Sequence, residues 1–317
     1  MKIVFMGTPD FAVATLDAIY KTGYEIAAVV TTPDKPSGRG QQIHYSDVKK
    51  YALEKNLRLL QPEKLKDPIF IETLRGLNAE LFVVVAFRML PESVYIIPPL
   101  GTFNIHASLL PNYRGAAPIH WAVMNGETKT GVTSFFLNND IDKGDIIDFR
   151  EVSIGENETT GELYDRLKME GASLAVDTIK SIENGSSKLI PQTSLREENI
   201  KLAPKIEKED TLIDWNQPAK IIFNKIRGLS PSPGAYTKIK NINGEEFILK
   251  CFQAMVLDEK SIFLPGTITT DKHSNFSIST KDFQILLQNV QLEGKRRMEI
   301  KMFLSGFKSE NYILNLF

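Results

Sequence analysis

What most constrains this chain is an alternation of short apolar runs with amphipathic segments through its first two hundred residues. Residues 2–6, 25–31, 81–86 and 101–106 are apolar runs of strand length. Between them, residues 11–22 carry Phe11, Ala14, Leu16 and Ile19 at helical spacing behind Thr8 and Pro9, which predicts a helix. Residues 68–77 and 160–184 have the same helical pattern. Strand and helix in this rhythm predict an α/β fold with a doubly wound parallel sheet, helices on both faces, and ligands at the carboxyl ends of the strands.

At 317 residues the chain exceeds the size at which one core stops growing, so a second domain is expected. After residue 185 the sequence turns polar, with Ser186, Ser187, Pro191 and Pro204 in a Lys/Glu mixture that keeps no period. Residues 186–209 therefore read as a linker between a first domain of residues 1–185 and a second of 210–317. In the second, a helical pattern at 218–228 is followed by short alternating runs at 235–239, 245–255, 277–279 and 285–291. That spacing predicts a small β-barrel.

Composition narrows the function classes. No apolar run approaches the roughly 20 residues that cross a bilayer, so a membrane span is excluded. The start, Met1 to Gly7 followed by Thr8-Pro9-Asp10, reads as a first strand and not as a signal peptide. Cys251 is the one cysteine, which rules out an intrachain disulfide and fits a reducing, cytoplasmic setting. Residues 1–200 carry 21 Lys and Arg against 26 Asp and Glu, whereas residues 201–317 carry 17 against 13. The mild basic excess of the second part invites a polyanionic partner without establishing it, and a solvated surface is the plainer reading of the charge alone.

The turn after the first strand, Gly7-Thr8-Pro9-Asp10-Phe11, stands where a dinucleotide-binding loop would, yet it lacks the glycines that let a backbone approach a pyrophosphate. An NAD dehydrogenase is not expected. More informative is the stretch from Gly101 to Pro118. Strand alternation puts Phe103 and Ile105 on one side and Asn104 and His106 on the other, so an amide and an imidazole emerge together at a strand's carboxyl end. Pro111, Gly115 and Pro118 then predict an extended loop suited to a flat heteroaromatic ligand. Further on, Asp140, Asp142 and Asp145 cluster after a β-rich run, but without the glycine and glutamate spacing of a calcium loop, so no metal is expected. By spacing alone Asp142 is one of three aspartates in a turn.

Asn104-x-His106, followed by Ser108-Leu109-Leu110-Pro111-x-x-Arg114-Gly115-x-x-Pro118 and later by Asp142-x-Gly144, resembles the folate-dependent formyltransferases. Gly7-Thr8-Pro9-Asp10-Phe11-Ala12, the Gly38-Arg39-Gly40 stretch and Ile226-Arg227-Gly228-Leu229-Ser230-Pro231 extend the resemblance over nearly the whole chain. It implies a Rossmann-like domain joined by a linker to an OB-like barrel. It also implies attack of a neutral amine on the formyl carbon of 10-formyltetrahydrofolate, with Asn104 donating to the oxyanion, His106 moving a proton and Asp142 orienting His106. Ser108, Leu109, Leu110 and Pro111 are then expected to line the reduced-folate cleft.

The resemblance leaves the acceptor to be read from other residues. The segment 34–50 is cationic and glycine-flanked, suited to the phosphates and splayed bases of an acceptor stem, and its Gly38-Arg39-Gly40 resembles the loop of the family's tRNA-formylating members, which implies initiator methionyl-tRNA as acceptor with Lys35 and Lys49 beside Arg39. Lys205, Arg227 and Arg296 are expected to add charge for the tRNA body. A monomer is expected. The alternative is an enzyme with the same catalytic set that formylates an amino-sugar nucleotide; a non-catalytic RNA-binding protein would explain the charge but not Asn104, His106 and Asp142. Two departures stand out: Gln41 and Gln42 where relatives carry lysines, and a shortened Phe87-Arg88-Met89-Leu90-Pro91 where relatives carry a Tyr-Gly loop.

Overall fold

Fully buried apolar strands form the centre of the first of two units in the computed structural model, which describes residues 1–37, 42–195, 200–307 and 312–314. This unit comprises Met1–Gly115, Lys129–Ser153 and Asp165–Leu202. Its seven-stranded sheet runs in the order Ile146–Ser153, Lys129–Phe136, Thr102–His106, Leu81–Val85, Lys2–Gly7, Glu25–Val30, Leu59–Leu60. The last five pair in parallel, and the first two are antiparallel additions at one edge. All five residues of Leu81–Val85 are buried, as a strand covered on both faces requires.

Side-chain alternation divides the core between those faces. Val4, Met6, Phe82 and Val84 pack on one face with Phe70 and Leu74 of the helix Pro68–Gly76. That helix starts cleanly because Asp67 accepts a hydrogen bond from the Ile69 amide at 2.9 Å and Pro68 occupies its first turn. The helix Asp10–Lys21 buries Phe11, Ala12, Leu16 and Ile19. Gly7 allows the preceding turn to be tight, since a Cβ there would lie 2.5 Å from the Cβ of Ala12. The glycine serves helix packing in this turn, in keeping with the missing dinucleotide fingerprint.

The described parts of segment 34–50 form regular structure. Lys35–Ser37 pairs antiparallel with Gln42–His44, and the helix Asp47–Glu54 follows, capped by Ser46, whose hydroxyl accepts from the Lys49 amide at 3.1 Å. Residues 38–41, Arg39 and Gln41 among them, lie outside the described residues.

The second unit comprises Ala116–Thr128, Ile154–Tyr164 and Ala203–Phe317. Its antiparallel sheet runs Ile268–Thr270, Phe276–Ser279, Phe283–Leu292, Glu246–Lys260, Ala235–Asn241, Tyr312–Leu314, with Met298–Glu299 added beside Phe283–Leu292. The register of Glu246–Lys260 against Phe283–Leu292 shifts at Cys251/Gln253, Gln253/Ala254 and Leu257/Lys260. Such irregularities sharpen local twist and curl a sheet, and this one curls as the OB-like expectation requires. The helix Ala219–Gly228 lays Ile222 and Ile226 on the apolar face made by Leu249, Cys251, Phe276, Ile285 and Leu287.

One expectation about loops is corrected here. Pro118 does not break regular structure; it is the first residue of the helix Pro118–Met124. A proline in a first helical turn sacrifices no hydrogen bond, because that N–H has no intrahelical acceptor. Among the described residues no helix is long and apolar enough to cross a membrane.

Candidate active site

Thr102–His106 lies between Leu81–Val85 on one side and Lys129–Phe136 on the other, with Asn104 opposite Val84 and Phe135, and His106 opposite Thr133. Phe103 and Ile105 are buried, as the alternation predicts. Asn104 is half-buried, and His106 is 6% exposed. The imidazole makes two polar approaches. Its Nε2 lies 2.8 Å from the carbonyl oxygen of Tyr113, and its Nδ1 lies 3.9 Å from Oδ2 of Asp142. A carbonyl only accepts, so Nε2 carries a proton and Nδ1 is the nitrogen left facing Asp142. The Phe135 ring meets the imidazole edge-on, with centroids 6.4 Å apart.

Both partners of His106 sit on left-handed backbone: φ is +60° at Tyr113 and +55° at Asp142. Non-glycine residues adopt this region at a cost, so surrounding bonds must hold them. The Tyr113 amide donates to the Lys201 carbonyl, and Lys201 N donates to the Asn112 side chain at 3.1 Å. Oδ2 of Asp142 accepts from the Gly115 amide at 3.0 Å. The backbone oxygen of Asp142 accepts from Nε2 of Gln192 at 2.9 Å. Gly144 completes the turn, since a Cβ there would stand 1.6 Å from the carbonyl oxygen of Phe136. The glycine of Asp142-x-Gly144 is thus a steric requirement.

The segment after His106 folds back on itself. The Ser108 hydroxyl, fully buried, donates to the Asn112 carbonyl at 2.7 Å, and Thr133 Oγ1 bridges the Ser108 carbonyl at 2.7 Å and the Leu110 amide at 3.2 Å. Leu110 packs against Phe135 and Ile146. Of the four residues expected to line a folate cleft, Ser108 and Leu110 are turned inward, while Leu109 and Pro111 are half-buried. The chain leaving Leu81–Val85 bounds a cleft of about 580 Å³ with Leu65, Lys66, Met89, Leu90, Pro91 and Ser93 along its walls. Arg88 pins this turn by donating to the carbonyls of Pro62 at 2.8 Å and Glu63 at 3.1 Å.

The cations singled out from the sequence fall into different environments. Lys49 is 9% exposed, pairs with Asp34 at 2.5 Å and lies 4.0 Å above the Tyr45 ring. The hydrogen bonds from Lys49 and Gln61 hold the Asp34 carboxyl below the usual carboxylate range. Arg227 is 6% exposed; its guanidinium donates to Asn224 Oδ1 at 2.8 Å and to the carbonyls of Glu158 at 2.9 Å and Gly155 at 3.3 Å. These two cations are buried, each engaged by partners of its own unit. Lys205 and Arg296 are exposed; Lys205 pairs with Glu207 at 3.2 Å, and Arg296 reaches the Met302 sulfur at 3.7 Å. Lys35 stands opposite His44 in the short antiparallel pair, and Arg39 lies outside the described residues.

The first unit therefore brings Asn104, His106 and Asp142 to one strand end. Sequence reasoning missed Tyr113, Thr133 and Gln192, whose side chains or carbonyls fix that arrangement. Tyr113 lies inside the motif already singled out, but nothing in its residue type announces a carbonyl role. Gln192 lies in a polar stretch with no period.

An amide donor, an imidazole with one free nitrogen and a carboxylate can together serve addition of an amine to a carbonyl carbon. Residues 1–179 match the family described as formyl transferase, and residues 205–308 match the formyl transferase C-terminal domain. Fold and site thus define a two-domain formyltransferase. Methionyl-tRNA formyltransferase of Azobacteroides pseudotrichonymphae is 50% identical over 319 residues, covering 99% of this chain and 98% of that protein. The Bacteroides fragilis methionyl-tRNA formyltransferase is 47% identical, covering 97% of this chain and 95% of that protein. The chain belongs to the methionyl-tRNA formyltransferase family. A solved structure of WlaRD, a sugar 3N-formyl transferase in the presence of dTDP and 5-N-formyl-THF, shares the fold with a TM-score of 0.65 and 23% identity, covering 93% of this chain and 99% of that one.

Proposed function

We propose that this chain transfers the formyl group of 10-formyltetrahydrofolate to the free amine of initiator methionyl-tRNA, giving N-formylmethionyl-tRNA. Identity of about half the residues to methionyl-tRNA formyltransferases over the full chain supports this acceptor. The observation that carries the chemistry is His106, held by Tyr113 on one nitrogen and facing Asp142 with the other, on the strand that also presents Asn104.

In this reading the methionyl nitrogen attacks the formyl carbon, and the carbonyl oxygen becomes an oxyanion. The Asn104 side-chain N–H donates to that oxyanion, an interaction worth about 3 kcal/mol where such donors have been removed. Nδ1 of His106 accepts the proton released by the attacking nitrogen, directly or through a water held by Asp142. Collapse of the tetrahedral species breaks the bond from carbon to the folate nitrogen, which takes a proton as it leaves. The folate is proposed to lie along the Ser108–Pro111 segment that follows His106 on the chain. Leu109 and Pro111 are the members of the Ser108–Pro111 segment available to touch it.

For the tRNA, Arg39 and Lys35 remain the proposed contacts at the acceptor stem, and Lys205 and Arg296 those for the tRNA body. Lys49 and Arg227 act through folding. The enzyme is proposed to work in the cytoplasm as a monomer. Transfer of radiolabel from formyl-folate to methionyl-tRNA, set against an amino-sugar nucleotide acceptor, tests the reading. Labelling of the sugar alone would replace it.

A further inference from the structure

We infer that Gln192 is a positioning residue for catalysis, acting through Asp142, and that the polar stretch containing it braces both partners of His106. The inference rests on the formyl-transfer reading above. Gln192 is 2% exposed and sits on a short helical turn, Gln192–Ser194. Its amide is satisfied on every side. Nε2 donates to the carbonyls of Asp142 at 2.9 Å and Gly144 at 2.8 Å, and Oε1 accepts from Nε and Nη2 of Arg114 at 3.1 and 2.7 Å.

Those four bonds join the two loops that meet at Asp142. One is the 142–144 turn, which carries the carboxylate on left-handed backbone. The other contains Arg114, whose neighbour Gly115 donates its amide to the same carboxylate. An amide with two donors and one double acceptor is the side chain that can satisfy two carbonyls and an arginine fork at once. A carboxylate there would face the carbonyls with no proton to give. Nine residues further along, Lys201 engages Asn112 and Tyr113 through its backbone, and the Tyr113 carbonyl holds Nε2 of His106. The same stretch therefore fixes the imidazole from one side and the carboxylate from the other. Outer partners of this kind commonly govern activity by about 10- to 100-fold without touching substrate.

The test compares the full-length enzyme with Gln192→Met, which keeps the volume and removes all four hydrogen bonds, and with Gln192→Glu, which keeps the acceptor for Arg114 but loses both donors. We expect kcat to fall about 10- to 100-fold in each, with KM for formyl-folate and for methionyl-tRNA within about threefold of wild type. In an Asp142→Asn background the same changes should lower kcat by less than about threefold more, because the pathway of action is already cut. Wild-type kcat in both Gln192 variants, or full multiplicative loss in the double variants, overturns the inference while leaving the formyl-transfer reading intact. If Asp142→Asn alone keeps wild-type kcat, the catalytic reading itself fails, and the inference with it.

Discussion

Nε2 of His106 is bonded to the Tyr113 carbonyl at 2.8 Å while Nδ1 stands 3.9 Å from the Asp142 carboxylate. One nitrogen is fixed by a group that can only accept, so the other is the one the proposed mechanism uses. At 3.9 Å the carboxylate is too distant for a direct hydrogen bond and near enough to share a water.

Replacing His106 with alanine should remove the proposed proton acceptor, while the proposed folate contacts, which lie on other residues, persist. We expect kcat to drop about 10²- to 10⁴-fold with folate affinity within about threefold of wild type. Single-turnover kinetics with a parallel folate titration check this; near-normal turnover would remove His106 from the mechanism.

Gly144→Ala forces a methyl group into the Phe136 carbonyl, 1.6 Å from its built position. Backbone must move, and the moving backbone carries Asp142. We expect a stability loss of about 3 kcal/mol by denaturant unfolding, together with loss of turnover. An alanine variant with wild-type midpoint and rate would show that the turn adjusts freely.

Two arginines once read alike should now separate. Arg227→Met removes the guanidinium's bonds to Asn224 Oδ1 and to the Glu158 and Gly155 carbonyls from a buried position, and should cost about 2 kcal/mol of stability. Arg296→Ala should leave the melting temperature unchanged and raise KM for tRNA by a factor that shrinks at higher salt, where the wild-type protein has already lost part of its electrostatic binding. Thermal melts and kinetics at two ionic strengths distinguish them, and equal stability losses would contradict the assignment.

Cys251 is fully buried on the Glu246–Lys260 strand, and burial pushes its thiol up to about 12. The native protein should resist a thiol-specific reagent even at pH 9, with one thiol appearing on unfolding in denaturant. Rapid labelling of the folded protein would mean that the second unit opens readily.

Much of this protein was legible in its residues. The alternation at Phe103-Asn104-Ile105-His106 put the amide and imidazole on one face, because side chains in a strand must alternate whatever surrounds them. The apolar runs at 2–6 and 81–86 declared a doubly covered sheet for the same reason. Motif resemblance singled out Asp142, which spacing alone could not separate from Asp140 and Asp145.

Other facts depend on approaches between residues far apart in sequence, and no local pattern encodes those. Arg227 and Lys49 read as cations for a polyanion, since charge in a sequence carries no record of burial; the fold surrounds each with acceptors of its own. Pro118 read as a breaker, but its position at a helix start was set by the chain around it. Gln192 lies in a stretch without hydrophobic period, so only tertiary structure could bring its amide to Asp142, fifty residues away in sequence. The sequence by itself determined that an amide and an imidazole would emerge together at one strand end. The tertiary structure decided which nitrogen of His106 is free, and which distant groups hold the carboxylate in front of it.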